Sequence, residues 1–261
     1  MSRESFPELP QMPAVLAEIP MGVLTAMISR TIFSISSEES RFTLNGALLI
    51  LKKGGLTMVA TDGHRLALSE TSADIPGVTG NYRALLPRKA MQELQKLSGE
   101  SGADANVRFS GDENHLFFQL GDRLLLSRKL TGNFPDFERV LPKEHTHTIV
   151  LNKDEFRGAI ERVAQFSDER SRAIRVQVSK DEVKVHSSVS ETGESEESLS
   201  VVYSGPTVEI GFNAQYLLEF LKAVPTSEIQ FLFKDANSAG ELRPAADNPD
   251  VYRYVIMPMR I

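Results

Sequence analysis

Apolar residues at helical spacing mark four stretches of this chain, and runs with the two-residue period of a sheet fill the intervals between them. Leu24, Met27, Ile28 and Ile32 recur at the helical period, with Thr25, Ser29 and Arg30 on other faces, and predict a first amphipathic helix. Residues 47–51 and 56–61 flank the turn Lys52-Lys53-Gly54-Gly55 and predict a β-hairpin, which a strand at 65–69 extends past the Asp62-Gly63 turn. Pro87 suits the first turn of a second helix, where a missing N–H costs nothing, and Met91, Leu94 and Leu97 mark its buried face. Strands are expected at 107–109, 115–120 and 123–128, the last two joined through Gly121-Asp122.

The cycle then restarts. Phe156, Ile160 and Val163 line a third helix. Ile174, Val176 and Val178 alternate into a strand that turns at Lys180-Asp181 and returns through Val183 and Val185, and a further strand is read at 199–203. A fourth helix carries Leu217, Phe220, Leu221 and Val224, and strands at 229–233, 240–243 and 252–259 follow it. Short segments repeat with the elements: Phe6-Pro7-Glu8-Leu9 returns as Phe134-Pro135-Asp136-Phe137, and Phe33-Ser34 as Phe166-Ser167. Two copies of one unit predict an α+β fold of two tandem domains, each with antiparallel sheets and two amphipathic helices packed on one face. Pro7, Pro10, Pro13 and Pro20 forbid a regular helix and mark 1–20 as connector. The first domain is then 21–132, a second connector holding Pro135 and Pro142 is 133–150, and the second domain is 151–261.

Composition narrows the chemistry. A length of 261 residues suits two domains with a core each. There is no cysteine, which excludes disulfides and zinc-thiolate sites and fits a reducing cytoplasm. The apolar runs fall short of the ~20 residues of a membrane helix, so a soluble protein without membrane contact is expected. A net charge of -6 argues against indiscriminate nucleic-acid binding. Part of it sits at Glu191, Glu194, Glu196 and Glu197 among Ser, Thr and Gly, read as a solvated loop. His145 and His147 are weighed as metal ligands and Asp62 with His64 as an acid–base pair; neither has a supporting partner set, and the histidines are read as exposed loop residues. Without a phosphate loop or nucleophile elbow, the chain is read as a non-enzyme needing no metal or cofactor.

Several blocks together carry a resemblance: Leu44-Asn45-Gly46, residues 59–67 reading Val-Ala-Thr-Asp-Gly-His-Arg-Leu-Ala, Leu86-Pro87-Arg88-Lys89, residues 134–142, Ile210-Gly211-Phe212-Asn213, and the terminal Met257-Pro258-Met259-Arg260-Ile261. Across essentially its whole length the chain resembles the bacterial DNA polymerase III β subunits, the sliding clamps. Members of that family have three such domains, and this chain resembles the second and third, with residues 6–9 resembling the exit from a first. The resemblance implies a DNA replication processivity factor, non-catalytic itself, that tethers the replicative polymerase and repair proteins to duplex DNA inside a ring of six domains with helices lining the hole.

By the same resemblance, a pocket between the two domains takes Gln-Leu-x-Leu-Phe-type peptides of the DNA polymerase III α subunit, the clamp loader, other polymerases and repair proteins. Carried over by motif, it comprises Leu44, Thr61, Gly63, His64, Arg65, Leu66, Pro135, Arg139, Val140, Asn213, Tyr216, Val255, Met257, Pro258, Met259 and Arg260. Leu66, Val140, Val255, Met257 and Met259 would form a pliable apolar surface, and Arg65, Arg139 and Arg260 donors at its rim. For duplex DNA without sequence specificity, Lys89 with Lys96 and Lys153 with Arg157 fall on exposed helix faces, and the family pattern adds Arg41, Phe42 and Arg88. One side of the family's head-to-tail contact is missing here, so a monomer is expected by default, with a ring of three chains as the alternative. A monomeric peptide-binding module that does not encircle DNA is the alternative function.

Overall fold

The structure, a computed structural model, describes residues 9–73, 75–78, 80–101, 104–189, 193–246 and 250–260. The order of elements is written twice. The first module runs β1 (Ala17–Pro20), α1 (Met21–Thr31), β2 (Gly46–Lys52), β3 (Gly55–Thr61), β4 (Arg65–Thr71), β5 (Tyr82–Pro87), α2 (Arg88–Ser101), β6 (Asn106–Gly111), β7 (His115–Leu120) and β8 (Arg123–Arg128). The second repeats it as β9 (His147–Asn152), α3 (Lys153–Val163), β10 (Ala173–Ser179), β11 (Glu182–Val189), β12 (Gly193–Ser200), β13 (Val208–Asn213), α4 (Ala214–Ala223), β14 (Glu228–Phe233), β15 (Gly240–Pro244) and β16 (Val251–Ile256).

These strands form three antiparallel sheets, ordered β1-β6-β7-β8, β12-β11-β10-β13 and β5-β2-β3-β4-β16-β15-β14-β9. The eight-stranded sheet belongs to both modules. Its seam is β4 against β16, paired from Arg65↔Ile256 to Glu70↔Val251. Side chains alternate across this sheet, and both faces are buried near the seam. Ala67, Tyr252, Tyr254 and Ile256 join the core under the helices of the second module. Leu66, Leu68 and Val255 join Leu48, Val59, Leu85 and Phe137 in a smaller cluster on the opposite face, covered by Phe134, Val140 and Leu141 of the connector. Burial on both sides leaves β2, β3 and β4 buried along nearly their whole length, with an apolar run in β2 that shows little alternation.

One cation crosses the seam. Arg65 is 8% exposed, and its Nε donates to Asp62 at 3.0 Å, Nη2 to the Phe33 carbonyl at 2.6 Å, and Nη1 to Glu219 and to the Tyr254 hydroxyl. Its guanidinium lies 4.2 Å from the centre of the Tyr216 ring. Burial alone would lower its pKa, but the Tyr254 and Glu219 contacts outweigh that and hold the charge more firmly than in water. The Arg65 network thus ties the β3–β4 turn and the end of α1 to α4 and β16, which corrects the expectation of a rim donor: every Arg65 nitrogen is spent inside the protein.

A second buried charge holds the connector. Glu241 on β15 is fully buried and meets Arg243 Nε at 2.6 Å, Arg253 Nε at 2.6 Å and Nη2 at 2.8 Å, and His145 Nε2 at 2.9 Å. Arg253 Nη2 also donates to the Pro142 carbonyl at 3.0 Å. His145 is therefore partnered rather than a free loop histidine, and His147 packs its ring 5.3 Å from Phe233 and 5.7 Å from Tyr203.

Other expectations are also revised. Residues 17–20 and 147–150, read as connector, lie in strands β1 and β9, which pair with β6 and β14. The acidic segment is strand β12, with Glu194 and Glu196 exposed and Ser195, Glu197 and Leu199 half-buried; its period of two is written in Ser and Glu because it is a sheet edge. The strand expected at 199–203 is this one displaced, and β5 and β13 were not foreseen. Residues 6–8 of the repeated Phe-Pro segment and Glu191 lie outside the described residues.

Arg65→Ala leaves Asp62 and Glu219 without their cation inside the seam and should cost about 3 kcal/mol in chemical denaturation, as for a broken buried pair. Burial would raise the pKa of Glu241, but hydrogen bonds from Arg253 and Arg243 hold it below the usual carboxylate range. Its stabilisation is then complete above about pH 4.3 and is lost as pH falls through the depressed folded value. Glu241→Gln should be less stable at pH 7 and lose less further stability on acidification; equal acid slopes for the two proteins would contradict this.

Candidate functional site

The turn between β3 and β4 is built by its own side chains. Asp62 Oδ1 accepts from the backbone N–H of His64 at 2.9 Å and of Arg65 at 3.1 Å, while Thr61 Oγ1 donates to the Arg65 carbonyl at 2.6 Å and accepts from Gly63 N–H at 3.1 Å. Gly63 sits at φ +91°, where a side chain would be strained. Asp62 is committed to amides and to Arg65, which leaves no acid–base pair with the exposed His64. Past β16 the chain crosses this turn: Met257 N–H donates to the His64 carbonyl at 2.9 Å, and Met259 N–H to the Gly211 carbonyl at 2.8 Å. The tail is thereby strung from the first module to β13 of the second.

Between turn, tail and connector lies an apolar cleft of about 100 Å³, lined by Leu44, Thr61, Gly63, Arg65, Leu66, Pro135, Phe137, Val140 and Met257. All but Phe137 were expected from sequence. Met257 is 37% exposed, an unusual position for a large apolar side chain beside a cleft that is itself apolar. Phe137 and Val140 bracket a short 3-10 turn, Phe137–Arg139, and are buried and half-buried under the connector, while Arg139 is exposed, 2.8 Å from Asp136. Spacing of i and i+3 around charged neighbours was the signal for Phe137.

The remaining expected residues divide. Pro258, Met259 and Arg260 line a separate, more polar depression of about 440 Å³ with Arg175, Glu209, Gly211, Ala236 and Asn237. Asn213 caps α4, accepting from Gln215 N–H at 2.9 Å and Tyr216 N–H at 3.3 Å. Tyr216 faces Arg65, and its carbonyl accepts from the Tyr254 hydroxyl at 2.9 Å. Val255 is fully buried in the sheet beneath the cleft, so it supports the floor rather than offering surface. His64 contributes its carbonyl to the tail.

The basic residues are less available than their spacing implied. Arg88 turns inward, its Nη2 donating to the Ile35 carbonyl at 2.8 Å. Lys96 meets Glu93 at 2.8 Å, Arg157 lies 3.5 Å from Asp154, and Arg41 meets Glu38 at 2.8 Å. Lys89 is exposed, Lys153 is half-buried, and Phe42 stands 70% exposed beside Arg41.

Comparison with known proteins agrees with this architecture. Residues 18–136 match the family model for the DNA polymerase III beta subunit, central domain, and residues 138–260 the one for its C-terminal domain. The Beta sliding clamp of Pseudomonas aeruginosa is 37% identical over 257 residues, covering 98% of this chain and 69% of that protein. The crystal structure of the DNA polymerase III subunit beta from the same species superposes with a TM-score of 0.93 at 36% identity, covering 100% of this chain and 71% of that one. A sliding clamp from Pseudomonas aeruginosa bound to griselimycin gives a TM-score of 0.92 at 35% identity, over 100% of this chain and 70% of that one. On matches that span both modules, the chain belongs to the DNA polymerase III beta subunit family and is a DNA sliding clamp.

Proposed function

We propose that the cleft at the seam is the site through which this clamp tethers partners, holding a short peptide of the Gln-Leu-x-Leu-Phe type from polymerases, the clamp loader or repair proteins. The observation that carries this is an apolar cleft at the module seam walled by Leu44, Leu66, Val140 and a half-exposed Met257. Its volume of about 100 Å³ suits one or two side chains of a peptide rather than a cofactor, for which about 300–1,000 Å³ is usual. Met257 can adapt to leucine or phenylalanine, which favours several partners on one surface. The polar depression lined by Pro258, Met259 and Arg260 would take the rest of the peptide, and Arg139 and Arg260 would meet its carbonyls or acidic flanks. Arg65, Asn213, Tyr216 and Val255 hold the walls in place.

The clamp acts by holding and carries out no reaction, a reading supported by its relatives being sliding clamps. It would work in the cytoplasm on duplex DNA, touched through Lys89, Lys96, Lys153 and Arg157 and the Arg41–Phe42 corner, without base readout.

Titration of a Gln-Leu-x-Leu-Phe-type peptide by calorimetry should give a Kd of about micromolar, roughly −8 kcal/mol, and Met257→Ala should weaken it about tenfold with the fold unchanged. A folded wild-type chain that ignores the peptide would remove the assignment. For DNA, the two cations without an ion pair among the described residues, Lys89 and Lys153, predict a log–log salt slope of only about −2, and Lys89→Glu with Lys153→Glu should flatten it; a slope unchanged by these substitutions would place the contact elsewhere.

A further inference from the structure

Sulfur chemistry in this chain is confined to methionine. With eight methionines and no cysteine, it offers an oxidant thioethers and no thiolate. Burial sorts those thioethers. Met21, Met27, Met58 and Met91 are at most 1% exposed in the core of the first module. Met12 and Met259 are half-buried, and Met1 lies outside the described residues. Met257, at 37%, is the most open methionine among the described residues, and it lines the cleft.

The surroundings of Met257 make its sulfur consequential. The walls it shares with Leu44, Leu66, Pro135, Phe137 and Val140 carry no side-chain donor. The two polar side chains of the lining are already engaged: the Thr61 hydroxyl donates to the Arg65 carbonyl, and the Arg65 guanidinium donates to Asp62, the Phe33 carbonyl and Glu219. The Gly63 N–H goes to Thr61. A thioether suits such a lining because it is apolar and pliable. A sulfoxide does not: its oxygen is an acceptor that finds water in the open cleft and no partner once a peptide has excluded that water. The modified side chain also stays where it is, because the tail backbone is fastened at Met257 to the His64 carbonyl and at Met259 to the Gly211 carbonyl.

We propose that Met257 is a redox modification site: oxidation by hydrogen peroxide to methionine sulfoxide weakens the hold of the cleft on partner peptides, and reduction restores it. This regulation rests on the reading of the cleft as the peptide site. In the forward step the thioether sulfur gives an electron pair to one peroxide oxygen, and the S–O bond forms as the O–O bond breaks. The leaving hydroxide takes the remaining proton and departs as water, so sulfur is oxidised and peroxide reduced. In the reverse step a methionine sulfoxide reductase removes the oxygen as water at the expense of two thiols, which become a disulfide.

Limited peroxide treatment of the full chain tests this, with catalase removing the peroxide before peptide mapping by mass spectrometry and calorimetric titration of a Gln-Leu-x-Leu-Phe-type peptide. Met257 should gain an oxygen ahead of Met12 and Met259, and far ahead of the four core methionines. Affinity should fall about tenfold or more in step with Met257 sulfoxide, with the circular dichroism spectrum unchanged, and reductases for both sulfoxide epimers should recover it. Met257→Leu, whatever its own affinity, should bind equally before and after treatment. Saturating peptide during the treatment should slow oxidation of Met257 but not of Met12. Met257 oxidised no faster than the core methionines, full affinity with Met257 oxidised, a loss that the reductases do not reverse, or a loss that persists in Met257→Leu would overturn the modification site and leave the peptide site standing. An untreated chain that ignores the peptide would remove the peptide reading itself, and this regulation with it.

Discussion

The antiparallel pairing of β4 with β16 is the constraint on which the rest depends. It turns two four-stranded half-sheets into one sheet of eight strands and so fixes how the modules sit. A joint made of backbone hydrogen bonds with apolar layers on both faces does not hinge easily: slipping its register by one residue would exchange Leu66 and Val255 with Ala67 and Tyr254 between the two faces. Everything that forms the cleft hangs from the two ends of this pairing. The turn at Thr61–Arg65 is the lead-in to β4, and the tail at Met257 is the exit from β16.

Two buried charges lock the arrangement in a way hydrophobic burial alone would not. Arg65 and Glu241 are each held by several directional partners, and each ties a segment distant in sequence to the seam or its neighbouring strands. Buried ions of this kind add little net stability over an apolar replacement, but their contacts are satisfied in one geometry only. The connector, pinned through Pro142 and His145, brings Phe137 and Val140 over the outer face of the sheet, and the cleft is what remains uncovered between them and Met257.

Much of this was legible in the sequence, and the exceptions have a common cause. The four helices show their apolar stripes, and the local motifs around Leu44, Thr61–Leu66, Pro135–Val140 and Met257 supply eight of the nine residues lining the cleft. What could not be read was long-range pairing. Nothing near β4 says that its free side meets a strand almost at the end of the chain, so from sequence Arg65 reads as a rim donor and His145 as an exposed loop histidine. Strand β12 was hidden because an edge exposes Ser and Glu where a central strand shows Val or Leu. Of the motif residues, Asn213 caps α4, Tyr216 faces Arg65 and Val255 is buried in the sheet, since a motif does not separate surface from scaffold.

Amide hydrogen exchange with and without the peptide tests the rigid-seam account most directly. The account predicts that amides of Arg65–Glu70 and Val251–Ile256 exchange only with global unfolding, and that peptide adds protection at Thr61–Leu66 and around Met257. Seam amides that open far more readily than the strands on either side, with peptide protection falling elsewhere, would contradict it.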